Sequence, residues 1–264
     1  MTRADSCILA AMGNHAEIST LAQPRSRGVF SVVWGALATA ISVGWTAIFA
    51  PLAALSATIG KTKWVTEVTR AWAWLIIKTC GVRVDIQGLE NVEGLGPFVL
   101  VSNHQSFFDI FAIVSLMPGD YRFIAKKELL KIPVVGYAMQ KGDHIMIDRE
   151  AGGKEIRKVV AIARKGYHVA VFAEGHRFND NRVHEFEQGA AWLAILTRLP
   201  VVPMAISGSG AFFPRLARVV IPGGTMRMRL GKPIPTADLK SSDREQLTQQ
   251  LESAVRAMFE TEVR

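Results

Sequence analysis

The sequence has few cysteines and lacks several common catalytic motifs. Its two cysteines, Cys7 and Cys80, form no CxxC or Cys/His pattern, so free thiols in a reducing compartment are expected and structural zinc is not. The absence of an HExxH motif, and of histidines four residues apart, argues against a metal centre. No Gly-x-Ser-x-Gly motif is present, which excludes the nucleophile elbow of a serine hydrolase.

The chain is basic, with a formal net charge of +8 at pH 7 and a pI near 9.7. A basic surface favours nucleic acid, anionic lipid headgroups or small phosphate-bearing substrates as ligands. Because no basic run is interleaved with exposed aromatics, nucleic acid is the weakest of the three and is not expected as a partner. With 264 residues and 49% hydrophobic content, one large core accounts for the chain.

Charge is absent from a long apolar segment near the N-terminus, between Gly28 and Gly60. This segment is long enough to cross a bilayer, which takes about 20 apolar residues. It starts too late and runs too long for the apolar region of a secretory signal. Basic residues flank both ends, so a re-entrant or interfacial helix pair stays open beside a spanning helix. Residues 1–27 are polar and mixed, and a mobile leader is predicted there.

A stripe of apolar residues at helical spacing follows the charge-free segment. Tryptophans beside cations suit a helix lying in the membrane interface. The alternative is an amphipathic helix that packs on the protein's own core. After a charge-free segment we favour the membrane, and we predict a membrane-associated helical unit over residues 28–79. The stripe consists of Trp64, Val68, Trp72, Leu75 and Ile76.

Short strands alternate with helices from Cys80 onward. This alternation predicts an α/β fold over residues 80–264, with a mostly parallel sheet flanked by helices. A last helix, with its apolar residues on one face, is expected to dock on the body. Strands are predicted at Val82–Gln87, Phe98–Ser102, Tyr121–Ala125, His144–Asp148, Val169–Ala173, Val201–Ser207 and Met226–Leu230. Helices are predicted at Phe107–Met117, Lys127–Met139, Gly153–Lys165 and Phe186–Leu199.

His104 lies at the turn between a predicted strand and a predicted helix, and Asp109 follows in that helix. A histidine at such a turn can face a cleft, and Asp109 is close enough to orient its ring. The pair is therefore a candidate general base with its orienting carboxylate. Two alternatives stay open. His104 could be a structural histidine, and Asp109 could form a helix capping box with Ser106, although one carboxylate could serve both roles.

Cations follow several other predicted strands, where ligands gather in an open α/β sheet. Lys126, Arg149 and Arg177 each come after a strand, so they are candidates to bind a phosphate beside the base. Individually, such cations are more often solvated surface charges. Glu174 is interpreted as holding Arg177 in place or as binding a substrate hydroxyl. Gly175 either lets the backbone approach the substrate closely or simply forms a turn.

Four motifs, in order, carry a resemblance to a known family. Asn103-His104 followed by Asp109 is similar to its first motif, Ile145–Arg149 to its second, Val171–Arg177 to its third and Leu199–Ile206 to its fourth. Lys126–Leu129 is similar to the segment after the first motif. From about Cys80 to Ile234 the chain resembles the glycerolipid acyltransferases, which include the 1-acylglycerol-3-phosphate acyltransferases. The third motif usually has Pro and Thr where this chain has Ala173 and His176.

The resemblance implies an enzyme of phospholipid biosynthesis. It would transfer a fatty acyl group from acyl-CoA or acyl carrier protein to the free hydroxyl of 1-acylglycerol-3-phosphate (lysophosphatidic acid), forming phosphatidic acid. No cofactor or metal is expected besides the thioester co-substrate. The implied catalytic residues are His104 and Asp109, and the implied substrate-binding residues are Asn103, Lys126, Arg149, Glu174, Gly175 and Arg177.

The resemblance also implies a place in the cell and leaves two alternatives. The enzyme would contact membrane lipids and be membrane-associated, with its catalytic domain facing the cytoplasm, where the acyl donor is made. Because Ala173 and His176 depart from the third motif, the acceptor could be another lysolipid, such as a lyso-aminolipid or a glycolipid. The second alternative is a catalytically inactive membrane lipid-binding protein.

Overall fold

A computed structural model describes most of the chain. The described residues are 29–60, 62–126, 139–140, 142, 144–147, 154–178, 180–214 and 217–263. The predicted leader over residues 1–27 lies outside them. So does the predicted helix Lys127–Met139, except for its last residue.

The described residues include six α-helices and seven strands. The helices are α1 (Val29–Thr58), α2 (Thr62–Thr79), α3 (Phe107–Leu116), α4 (Lys154–Arg164), α5 (Gly189–Thr197) and α6 (Arg244–Val263). The strands are β1 (Val82–Gln87), β2 (Val99–Ser102), β3 (Tyr121–Lys126), β4 (Ile145–Ile147), β5 (His168–Phe172), β6 (Val201–Ser207) and β7 (Gly224–Leu230). The predicted strands agree with these to within about two residues at each end.

The strands form a single sheet in the order β1-β7-β6-β2-β5-β3-β4. Among the described strands, only the β6–β7 pair is antiparallel. Strands β2 and β6 are buried along their whole length, which explains why their sequences are continuous apolar runs rather than alternating ones. The predicted α/β fold with a mostly parallel sheet is confirmed.

Helices cover both faces of the sheet. Helices α2 and α3 pack on one face around Phe98 and Phe108, whereas α4, α5 and α6 pack on the other. The last helix docks as predicted, with Leu251 and Val255 at most 1% exposed. Because both faces are covered, the carboxyl ends of the parallel strands are the natural place for a ligand.

Helix α1 packs mainly against α2 and leaves most of its surface exposed. By length and composition it can cross a membrane, and its large apolar side chains are mostly exposed, such as Phe30 at 82%. Its first half nevertheless contacts the body. A Cβ added at Gly35 would lie 2.3 Å from the carbonyl oxygen of Val220, and the N–H of Val220 donates to Thr39 Oγ1 at 2.9 Å. Glycine at position 35 therefore permits this close docking.

The tryptophan stripe of α2 is divided between protein contacts and solvent. Trp72 packs edge-on against Phe111, with ring centroids 5.2 Å apart, and its indole N–H donates to Thr46 Oγ1 of α1 at 3.1 Å. Ile76 is 4% exposed, whereas Trp64 is 61% exposed. The interpretation of the whole stripe as a membrane face is wrong for Trp72 and Ile76, because these side chains hold α2 against the protein.

Candidate active site

His104 and Asp109 meet at the carboxyl end of β2. His104 Nδ1 lies 2.8 Å from Asp109 Oδ2, and the carboxylate is completely buried while the imidazole is 15% exposed. Because the carboxylate accepts the Nδ1 hydrogen, the neutral ring leaves Nε2 without a proton. The structure thus gives the predicted pair the geometry of a general base with its orienting carboxylate.

The same carboxylate begins helix α3. Asp109 Oδ2 also accepts the backbone N–H groups of Gln105 at 2.8 Å and Ser106 at 2.9 Å. Ser106 is the N-cap residue of α3. The bond from its N–H to the Asp109 carboxylate is one of the two hydrogen bonds of a capping box. Asp109 therefore contacts the imidazole and the start of α3 at once, whereas its role in catalysis stays a prediction.

An aromatic ring supports the imidazole from the neighbouring strand. The rings of His104 and Phe172 are stacked, with centroids 3.8 Å apart and planes within 13°. Phe172 ends β5 and pairs in parallel register with Ser102 at the end of β2. This residue was not among the predicted site residues. It could have been predicted from the sequence by aligning the ends of the two predicted strands, which places Phe172 level with Ser102.

Glu174 holds the histidine loop from the turn after β5. Its side chain is buried, with Oε2 accepting the N–H of His104 at 2.8 Å and Oε1 accepting the N–H of His184 at 2.9 Å. Burial raises the pKa of Glu174 to about 7, although the two amides lower it. The structure therefore shows a positioning role that the sequence did not predict. Contact between Glu174 and substrate stays a prediction.

Gly175 completes the turn that carries Glu174. Its φ of +64° lies in the left-handed region, and its N–H donates to the carbonyl of Phe172 at 3.2 Å. Beyond this turn, the N–H of Phe178 donates to the carbonyl of His104 at 3.0 Å. The segment after β5 thus holds the histidine backbone on both sides. The interpretation of Gly175 as a turn glycine agrees with the structure, and its approach to substrate stays a prediction.

Asn103 faces the sheet and not the cleft. Its Nδ2 donates to the carbonyl of Ile206, and its Oδ1 accepts the N–H of the same residue, each at 2.8 Å. The residue is 0% exposed. The predicted substrate contact is therefore wrong for this conformation, because a side chain with no exposed surface cannot touch a ligand. The Asn103 side chain instead bonds the Ile206 backbone as a neighbouring strand would, and it thereby connects the histidine loop to β6.

Arg177 is the predicted cation that the structure places beside the histidine loop. Its guanidinium carbon lies 4.1 Å from the ring centroid of Phe107, the half-exposed first residue of α3. Lys126 ends β3 at the same edge of the sheet, but its side chain lies outside the described part of the chain. Arg149 lies outside the described residues as well. Their predicted contacts with phosphate stay predictions.

Comparison with known proteins tests the resemblance. Residues 83–207, which include the His104 loop and the Glu174 turn, match the Acyltransferase family. A chloroplastic 1-acyl-sn-glycerol-3-phosphate acyltransferase of Brassica napus is 35% identical over 171 residues, covering 63% of this chain and 49% of that protein. The alpha form of the enzyme from Ovis aries is 31% identical over 183 residues, covering 68% of this chain and 63% of that protein.

The match to the Acyltransferase family covers just under half of the chain and contains the first, second and third motifs. The predicted resemblance is thereby confirmed. The crystal structure of PlsC, the 1-acyl-sn-glycerophosphate acyltransferase of Thermotoga maritima, has the same fold, with a TM-score of 0.75 at 22% identity over 88% of this chain and 97% of that chain. The chain spans about half the length of the Brassica napus relative.

The matched region departs from the usual third motif at Ala173 and His176. The N–H of Ala173 donates to the carbonyl of Ser102 at 2.9 Å, a bond that proline could not make because it has no N–H. Alanine therefore adds a hydrogen bond between the end of β2 and the segment after β5. His176 is exposed on the turn. Neither change disturbs the contact between Glu174 and His104.

Proposed function

We propose that this protein transfers a fatty acyl group from acyl-CoA or acyl carrier protein to the free hydroxyl of 1-acylglycerol-3-phosphate, yielding phosphatidic acid. The observation that carries the proposal is the 2.8 Å contact between His104 Nδ1 and Asp109 Oδ2 at the carboxyl edge of the sheet. The choice of acceptor is supported by the Brassica napus and Ovis aries relatives, which are named for this acceptor.

The proposed reaction is direct attack by the acceptor hydroxyl on the thioester. His104 Nε2 takes the hydroxyl proton as the oxygen bonds to the thioester carbonyl carbon. The tetrahedral intermediate then collapses, the C–S bond breaks, and the leaving thiolate receives the proton from the imidazolium. The Asp109 carboxylate stabilises that imidazolium. Because the carboxylate is buried beside Nδ1, water screens this charge interaction little. Because a thioester is already activated, no serine or cysteine nucleophile is required.

We propose that Arg177 binds the acceptor phosphate. Its guanidinium lies over Phe107, next to the His104 loop, and arginine can bind a phosphate through two parallel hydrogen bonds. Replacing Arg177 with alanine should raise the KM for the acceptor strongly and leave the KM for the acyl donor unchanged. A rise confined to the donor KM would contradict this role.

Helix α1 supports a membrane location for the reaction. The acceptor and product carry long acyl chains, so a site held at the bilayer can take lipid without moving it through water. We propose that α1 anchors the protein, with the catalytic domain facing the cytoplasm. Replacing the exposed Val43 and Ile48 with glutamate should abolish cosedimentation with phospholipid vesicles, because charge in an apolar membrane segment is unfavourable. The matched control, Leu196→Glu, changes an exposed apolar residue of α5 and should leave vesicle binding intact.

The activity itself is tested with a panel of substrates. Purified protein is incubated with acyl-CoA or acyl carrier protein and with lysophosphatidic acid, a lyso-aminolipid or a lysoglycolipid, and products are identified by mass. Phosphatidic acid as the main product supports the proposal. Acylation of another lysolipid would show that the acceptor differs. Binding of all substrates without any product would indicate an inactive lipid-binding protein.

A further inference from the structure

A second histidine–carboxylate pair lies on the segment that joins β5 to α5. His184 Nε2 lies 2.9 Å from Asp180 Oδ2. The His184 side chain is 32% exposed and the Asp180 side chain 46%, so the pair adds little stability by its charge. Neither residue belongs to the four motifs that carry the family resemblance. What the pair does therefore depends on the groups that the imidazole of His184 contacts.

The imidazole of His184 is stacked on the ring of Phe178. The two ring centroids are 3.7 Å apart and the planes lie within 20°. Because Asp180 binds the ring edge at Nε2, it fixes the imidazole in the orientation that the stack requires. The stack joins the two halves of the segment, which lie on either side of Asp180 in the chain.

Both residues of the stack are attached to the backbone of the His104 loop. The N–H of Phe178 donates to the carbonyl of His104 at 3.0 Å. The N–H of His184 donates to Glu174 Oε1 at 2.9 Å, and Glu174 Oε2 accepts the N–H of His104 at 2.8 Å. The proposed base is thus held from both sides by residues whose rings contact each other.

The same segment also holds the proposed phosphate-binding cation. Arg177 precedes Phe178 in the chain, and its guanidinium carbon lies 4.1 Å from the ring centroid of Phe107. An acceptor lipid must present its phosphate to Arg177 and its hydroxyl to His104 at the same time. Such simultaneous binding requires a fixed distance between the two protein groups. The stack of Phe178 and His184 lies where it can fix that distance.

The contacts of His184 indicate an indirect role rather than a second base. Its Nε2 is engaged with Asp180, and its connection to His104 runs through backbone amides and the carboxylate of Glu174. Catalytic groups require this kind of support, because a side chain held loosely reaches its productive position only part of the time.

We propose that His184 is a positioning residue for acyl transfer, which holds Phe178 and thereby sets His104 and Arg177 at the distance that the acceptor requires. This proposal rests on the proposed function. It predicts that the ring of residue 184 matters more than its charge, because the ring makes the contact with Phe178. Asp180 has the smaller part of orienting that ring.

Two variants of His184 separate the ring from the polar contact. His184→Gln removes the ring and keeps a polar side chain, whereas His184→Phe keeps a ring and loses the bond to Asp180. In steady-state kinetics, we expect His184→Gln to lower kcat by about three- to tenfold and to raise the acceptor KM by about two- to fivefold. The donor KM should not change. The exposed neighbour Glu185 provides the control Glu185→Gln, which should match the parent.

The conservative variant decides whether the stack is responsible. His184→Phe should retain at least about half of the parental kcat and an acceptor KM close to that of the parent, because Phe178 still has a ring to pack on. Equal losses in His184→Phe and His184→Gln would overturn the proposal, since the polar contact and not the stack would then be responsible. Parental kinetics in His184→Gln would overturn it as well.

Hydrogen exchange followed by mass spectrometry tests the same positioning without any substrate. In peptides that contain the amides of His104 and Phe178, exchange in His184→Gln should be faster than in the parent by about three- to tenfold. His184→Phe and Glu185→Gln should exchange at the parental rate. Thermal unfolding establishes that each variant is folded. Unchanged exchange in His184→Gln would overturn the proposal.

The two measurements distinguish this proposal from the proposed function. If the parent forms no phosphatidic acid but exchange still depends on the ring of His184, acyl transfer to lysophosphatidic acid is wrong and the positioning of the His104 loop stands. If the parent forms phosphatidic acid and His184→Gln matches it in both measurements, the positioning role is wrong and the proposed function stands.

Discussion

Two sets of polar side chains in this protein differ in how they are completed. At the carboxyl edge of the sheet, Asp109 and Glu174 together accept five hydrogen bonds from the histidine loop and its neighbours. At the opposite end, Arg70 and Arg122 each retain a buried nitrogen without a partner. The first set is held together by the protein itself, although Asp109 Oδ1 has no partner among the described residues.

The difference teaches what each set contributes. A catalytic group must be held in place before the substrate arrives, and the His104 loop is fixed through its ring, its N–H and its carbonyl. An arginine nitrogen without an acceptor adds no hydrogen bond to the fold. Removing a partner from the first set should therefore destabilise the protein, whereas removing a cation from the second should not.

The largest predicted effect is at Asp109. Alanine should reduce kcat by about 10²–10⁴-fold and lower the free energy of unfolding by about 1–3 kcal/mol, because it removes both the imidazole partner and the acceptor of two amides. Asparagine keeps an acceptor oxygen but no charge. Asp109→Asn should therefore lose most of the activity and much less of the stability, as measured by kinetics and thermal unfolding. Equal stability losses in both variants would contradict the double role.

Glu174→Gln should have the next largest effect. Glutamine offers one acceptor oxygen, so either the His104 or the His184 amide would face an N–H group and lose its bond. We expect kcat to fall by about tenfold, in line with the cost of one unpaired buried amide, while both KM values change little. The matched control is Glu185→Gln, an exposed carboxylate nearby, which should keep full activity. A fall confined to acceptor KM would instead indicate substrate contact.

Phe107→Leu tests how Arg177 is positioned. Losing the ring removes a cation–π contact worth about 0.5–1 kcal/mol, so acceptor KM should rise by about two- to fivefold. This rise should be well below that of Arg177→Ala, and donor KM should stay constant. If Phe107→Leu matched Arg177→Ala, the ring rather than the guanidinium would be the main contact with the acceptor.

The prediction with the smallest effect on activity is a pH dependence of stability. Burial raises the pKa of Glu174 from 4.5 to about 7, so the folded state holds this proton more tightly than the unfolded state. The stability from this group is complete below pH 4.5 and decreases as the pH rises toward 7. The Tm of the parent relative to Glu174→Gln should accordingly be higher at pH 5 than at pH 8. An unchanged difference would show that Glu174 has an ordinary pKa.

The sequence was sufficient to predict that His104 and Asp109 meet, because the two residues are close along the chain. A turn after an apolar strand, followed by a capping carboxylate, restricts where His104 and Asp109 can lie. The partners from distant segments could not be predicted. Glu174 accepts an amide of His104 and Asn103 pairs with Ile206, and both contacts depend on which strands are neighbours in the sheet. Periodicity along one segment does not determine that order.

The helices show the same limit. The absence of charge in α1 predicted a long apolar helix correctly, since composition alone determines that property. The spacing of Trp72 and Ile76 on α2 suited either a membrane or a protein surface, and the structure places them against the protein. Which apolar surface a helix contacts depends on its tertiary neighbours. The stripe itself contains no information on that choice.

The most direct test of the account is single-turnover acyl transfer to 1-acylglycerol-3-phosphate by the parent and by His104→Ala, with acyl-CoA or acyl carrier protein as donor. Circular dichroism and thermal unfolding first establish that the variant is folded. The account predicts that the parent forms phosphatidic acid and that His104→Ala is slower by about 10²–10⁴-fold. A folded His104→Ala protein with near-parental rates would contradict the assignment of His104 as the base.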